Sequence, residues 1–74
     1  MESRIKSVMA SVFEVDSSQI NSDTSPDTLE SWDSLKHMNL ILALEEEFGV
    51  EFDNDDITNM INFNLILLIL KEKA

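Results

Sequence analysis

Asp33, Ser34 and His37 lie within one short stretch, Ser31-Trp32-Asp33-Ser34-Leu35-Lys36-His37, and carry the side-chain types that covalent chemistry uses. A serine nucleophile needs a base and a third group that orients the base. His37 is the single histidine of the chain. Its spacing of three from Ser34 could bring the two together on a helix. That makes a dyad with no third member, no pocket and no evident oxyanion hole, so a serine hydrolase is the weakest of the readings. Asp33 points to a different use. Its carboxylate can accept from the orphan amides of a first helical turn, which puts Ser34 at the first helical position. A phosphate esterified to Ser34 would then sit at the positive end of a helix dipole. A tripeptide alone matches by chance too often to carry that assignment.

A second cluster, Asp53-Asn54-Asp55-Asp56, suggests a calcium loop. An EF-hand loop needs glycine at its sixth position and glutamate at its twelfth. Counted from Asp53 these are Thr58 and Asn64, so capping of a helix start is the better reading, and no metal site is expected.

These residues need elements to hold them. Ile5, Val8, Met9, Val12 and Phe13 recur at helical spacing and predict an amphipathic helix over about 3–14, with Ser3 as its cap. Residues 15–31 form a long polar connection. Asp16 and Gln19 have capping-box spacing there and could tuck Ile20 inward. Pro26 suits the first turn of a small helical piece, and Leu29 and Trp32 are the expected anchors of this loop. A second helix is expected from Ser34 to Phe48, stopped by Gly49. Leu35, Ile41, Leu44 and Phe48 can share one broad flank of it. Met38 and Leu42 lie on a neighbouring flank, expected to face solvent or a partner. Glu45, Glu46 and Glu47 oppose the dipole at its C-terminal end, which intrinsic stability does not explain. Val50 and Phe52 should fold back onto the core. A short third helix carries Ile57 and Met60. The last helix starts at Asn62 or Asn64 and ends near Lys73, with Phe63, Ile66, Leu67 and Leu70 inward and Leu65 and Leu68 outward. Antiparallel packing of these pieces gives an all-α fold, a small four-helix bundle with a long first loop and a short third helix.

Seventy-four residues make one domain, 1–74, of a size that buries only about 60% of its unfolded surface. An apolar content of 43% supports a helical core. Cysteine is absent, so any thiol chemistry must come from an added group. No basic, cleavable leader precedes the first helix and Leu65 to Leu70 is too short to span a bilayer, so a cytoplasmic protein with no stable membrane insertion is expected. Fifteen acidic against five basic residues give a net charge of -10. That charge repels nucleic acid, attracts basic partners and keeps a monomer soluble.

The run SWDSLKHMNLILALEEEFGVEF, with Asp33-Ser34-Leu35 and LALEEEFG at Leu42 to Gly49, resembles the signature region of acyl carrier proteins, and the overall spacing matches across essentially the whole chain. The resemblance implies that Ser34, flanked by Asp33 and Leu35, carries a 4'-phosphopantetheine arm added by a phosphopantetheinyl transferase. It implies a thioester shuttle and not an enzyme, with acyl or aminoacyl cargo supplied by a loading enzyme and passed to downstream synthases or transferases. Met38, Leu42, Glu45 and Glu46 then correspond to the surface that partners grip, and Lys36, Asn39 and His37 make this face less acidic than is usual in the family. Fatty-acid and polyketide biosynthesis are among the pathways that use such carriers. The competing reading is a cofactor-free acidic helical interaction module working through Met38, Leu42 and the outer leucines of the last helix.

Overall fold

The computed structural model describes residues 1–73. Its elements are α1 (Glu2–Phe13), a 3-10 turn (Ser17–Gln19), α2 (Ser34–Phe48), α3 (Asn54–Asn59) and α4 (Phe63–Lys73). The described residues are all-α, as expected, with a short third helix.

α1 buries Ile5, Met9 and Phe13, spaced four apart on one face. It starts without the side-chain cap expected of Ser3, because Met1 occupies the N-cap position and makes no side-chain bond there. It stops at Glu14, whose backbone is left-handed (φ 58°) and whose N–H bonds Ala10 O. α2 is capped as its sequence dictates. Asp33 accepts from the Lys36 N–H at 2.8 Å, and Gly49 closes the helix at φ 65°.

α1 and α2 pack together and run antiparallel, as two end contacts show. At one end Arg4 meets the last turn of α2: Nε donates to the Glu47 carboxylate at 3.0 Å, Nη2 donates to the Glu47 carbonyl at 2.9 Å, and the guanidinium lies 4.5 Å from the Phe48 ring centre. At the other end Lys36 Nζ donates to Val12 O at 3.3 Å and sits 3.7 Å from Glu14. Lys36 therefore serves the carbonyl end of α1, which has no basic residue of its own in its last turn.

The inner face of α2 differs from the sequence expectation in losing Leu35 and gaining Leu40. Leu40, Ile41 and Leu44 are buried, whereas Leu35 is 71% exposed. The physical reason is phase: Leu35 is seven residues from Leu42, two full turns, and so falls on the outer face with it.

The long loop is pinned by side chains. Ile20 and Trp32 are buried and Leu29 is half-buried. The 3-10 turn forms without a side-chain bond from Asp16, and Pro26 sits in a turn, closed by the Leu29 N–H on Ser25 O at 2.9 Å, instead of opening a helix. Thr24, the buried polar residue of the loop, accepts the Asn21 N–H on Oγ1 at 2.8 Å, and its carbonyl accepts the Phe63 N–H at 3.0 Å. The loop is thereby tied to the start of α4.

α3 is held by a full capping box between Asp53 and Asp56, the role expected of that cluster. In α4 the Asn62 side chain accepts from the Leu65 N–H at 2.8 Å. Phe63, Ile66, Leu67 and Leu70 face inward, and Leu68 is exposed. Fully burying each such side chain contributes about 1.5–3 kcal/mol against an ordering cost of similar size. No helix of the described residues is long and apolar enough to cross a membrane.

Candidate functional site

Ser34 is the first residue of α2 and is solvent-exposed. Two elements place it there. The Asp33 cap fixes the first turn of the helix, and the Trp32 anchor, 4% exposed, fixes the chain entering it. The Trp32 ring packs against Phe13 of α1 with centres 5.1 Å apart. Its indole Nε1–H donates to His37 Nδ1 at 3.0 Å. Since Nδ1 accepts, the other ring nitrogen carries the proton, and His37 Nε2 donates to Ile57 O at 3.1 Å. One imidazole thus bridges the loop, α2 and α3.

That bridge settles the chemistry of His37. Both ring nitrogens are engaged away from Ser34, so His37 is no general base for its hydroxyl. It is a half-buried brace. Trp32 and His37 occupy the positions before the N-cap and at the fourth helical residue, the two positions of a hydrophobic staple. The spacing was therefore a readable signal, here made with a hydrogen bond as well as ring contact.

Beside Ser34 lies an open groove of about 540 Å³, walled by Pro26, Trp32, Met38 and Ile61, with Asp33, Ser34 and His37 along its edge. Ile61, 54% exposed, escaped the sequence reading because it lies between α3 and α4, where no helical period applies. Leu35, Met38 (46% exposed) and Leu42 (60% exposed) continue an apolar strip along the outer face of α2. Such a strip is unusual to leave in water unless something covers it.

The three glutamates of α2 are used unequally. Glu47 pairs with Arg4 at 3.0 Å. Glu45 accepts the Phe52 N–H at 2.8 Å, bracing the segment after Gly49. Glu46 is exposed. The block that opposes its own helix dipole is thus explained in part by tertiary partners. A larger hollow of about 790 Å³ lies between α1 and α2, among Ser7, Ser11, Arg4 and Glu46, on a different part of the surface from Ser34. Among the described residues no group of acidic or histidine side chains is arranged to hold a metal ion.

Ser34 thus presents an exposed hydroxyl at the start of a capped helix, beside an apolar groove. A family model described as the phosphopantetheine attachment site matches residues 3–62. The solution NMR structure of a holo acyl carrier protein from Geobacter metallireducens is similar with a TM-score of 0.87 and 28% sequence identity, covering 97% of this chain and 83% of that one. The chain belongs to the phosphopantetheine-attachment family of acyl carrier proteins. Its function is to tether acyl intermediates as thioesters on a phosphopantetheine arm, and it is not itself an enzyme. That membership displaces both the cofactor-free interaction module and the serine hydrolase.

Proposed function

We propose that Ser34 is the residue that carries the arm, as a phosphoester of its Oγ. The observation that carries this reading is the exposed serine at the first position of a helix capped by its neighbour Asp33, inside the stretch that the family model matches. The residues fit the group. The phosphate would lie at the positive end of α2, and the pantetheine would leave along the groove edge. The terminal thiol of the arm supplies the thioester, chemistry that a chain without cysteine lacks. The tether raises the effective concentration of the cargo at each partner's active site.

The partners follow from the same face. A phosphopantetheinyl transferase, a loading enzyme and downstream synthases would dock on Leu35, Met38 and Leu42 through apolar contact, with basic groups reading Glu46 and Asp33. Glu45 contributes less to such docking than sequence position suggests, because its carboxylate already holds the Phe52 N–H. The cargo is acyl or aminoacyl, the protein works as a cytoplasmic monomer, and residues 1–74 form one domain.

The test is intact mass after incubation with coenzyme A and a broad-specificity phosphopantetheinyl transferase, followed by fragmentation. One adduct on Ser34 is expected. Ser34→Ala should keep the helical circular dichroism of the wild type and take up no arm. A normally loaded S34A protein would sink the assignment.

A further inference from the structure

His37 uses one ring nitrogen on Trp32 and the other on α3, and the two bonds need not serve the same end. We propose that His37 is a positioning residue for arm attachment: by accepting the indole N–H of Trp32 it fixes the turn that delivers the Ser34 hydroxyl to the transferase, whereas its bond to Ile57 holds α3 and leaves that turn unaffected. The inference rests on Ser34 as the attachment residue.

Three observations carry it. First, Trp32 is joined to Ser34 through the cap residue Asp33, so a movement of its ring is a movement of the turn. That ring is 4% exposed, and its N–H donates to His37 Nδ1 at 3.0 Å. A buried donor left without a partner is unfavourable, so without the imidazole the indole must shift to reach water, and Asp33 and Ser34 shift with it. Second, the same residue grips the turn through its backbone. The His37 N–H bonds Asp33 O at 2.8 Å, beside the Lys36 N–H on the Asp33 carboxylate. Residues 36 and 37 thus hold residues 32 and 33, and Ser34 lies between the two pairs. Third, the two arms of the imidazole lead to different places. Ile57 belongs to α3, which packs on α4, so losing that bond loosens α3 and not the turn. His37 is half-buried, while the apolar strip of Leu35, Met38 and Leu42 is exposed on the outer face of α2. A change at His37 therefore leaves the docking surface in place and disturbs only how the hydroxyl is aimed. Misaimed reacting atoms lower the rate of a bound complex without weakening its formation, so the effect belongs in kcat and not in KM.

The experiment replaces one arm at a time. In His37→Asn the amide oxygen lies near the place of Nδ1 and can accept from the indole. In His37→Gln the amide reaches further, toward the place of Nε2, where its N–H can donate to Ile57 O. Steady-state transfer from coenzyme A by a broad-specificity phosphopantetheinyl transferase is followed by intact mass, with the adduct located by fragmentation and urea midpoints measured in parallel. His37→Ala should lower kcat about tenfold and change KM for the carrier by less than about twofold. H37N should recover most of the lost kcat and H37Q should not, although each variant keeps one of the two bonds. Trp32→Phe should lower kcat as H37A does, and the W32F/H37A double variant should fall no further than either single one, because both remove the same bond. If H37A does not fold, H37N, H37Q and W32F still decide. A kcat that follows the urea midpoint across the variants overturns the proposal, as does equal recovery by H37N and H37Q or a loss confined to KM. A wild-type adduct on a residue other than Ser34 overturns the attachment reading and the positioning role with it. Loading on Ser34 at the wild-type kcat in H37A overturns the positioning role alone.

Discussion

Glu14 is the non-glycine residue with a left-handed backbone among the described residues, at φ 58°. Holding a side chain there costs about 1–3 kcal/mol, and glycine removes that strain while gaining unfolded-state freedom worth about 0.4–1 kcal/mol. Glu14→Gly should therefore stabilise the protein by about 0.5–1 kcal/mol, read as a higher urea midpoint at unchanged slope. The lost contact with Lys36, 3.7 Å long with the glutamate 81% exposed, offsets little of this. Trp32 makes the opposite case. Trp32→Phe keeps an aromatic ring near Phe13 but leaves His37 Nδ1 without its donor. A loss of about 1 kcal/mol is expected in urea unfolding. A W32F protein as stable as the wild type would show that the bridge does not hold the site.

At the scale of elements the weakest piece is α3, six residues long and too short to stand alone. Its start is tied to the end of α4 by Asp56 and Lys73, 2.9 Å apart. The hydrogen bond from Lys73 holds the Asp56 carboxyl below the usual carboxylate range, against an opposing effect of burial and with help from the Asp53 N–H. The same bond raises Lys73 above the usual ammonium range, again against burial. A lowered carboxyl stabilises the fold above its unfolded pKa, and that contribution is lost as pH falls through the lower folded value. A raised ammonium stabilises below its unfolded pKa, and that contribution is lost as pH rises through the higher folded value. Wild type should therefore exceed Lys73→Met in urea midpoint by a constant amount from about pH 5 to 9. The gap should close below about pH 4 and above about pH 10.5. A gap that persists at pH 2 would assign the effect to packing of the lysine stem.

For the whole molecule, self-repulsion outweighs pairing. Ion pairs use Arg4, Lys36 and Lys73, three of five basic residues set against fifteen acidic ones. Screening should then stabilise the fold, so the melting temperature is expected to rise as sodium chloride goes from about 0.01 to 0.5 M, where the Debye length shrinks from about 30 Å to a few ångströms. Arm transfer should respond in the opposite sense. A basic transferase steered by Glu46 and its neighbours loses rate with salt, so a transfer rate indifferent to salt would remove charge steering from the account.

Much was determined by the sequence alone, wherever a signal is local. Asp33, Gly49 and the Asp53–Asp56 box act on backbone groups three or four residues away, and so their roles could be read from spacing. The inward face of α4 followed from period, and Ser34 at the first position of α2 followed from its Asp33 cap. Tertiary structure decided what depends on partners distant in the chain. Leu35 looked inward when grouped by hydrophobicity, but the phase of α2 against α1 turned it out. Glu47 found Arg4 forty-three residues away, and Glu45 and Lys36 brace the fold through Phe52 N–H and Val12 O. His37 offered the chemistry of a base until α3 brought the Ile57 carbonyl to its second nitrogen. A side chain's local options are written in its neighbours, but which option it takes depends on which polar group the fold brings within hydrogen-bond reach.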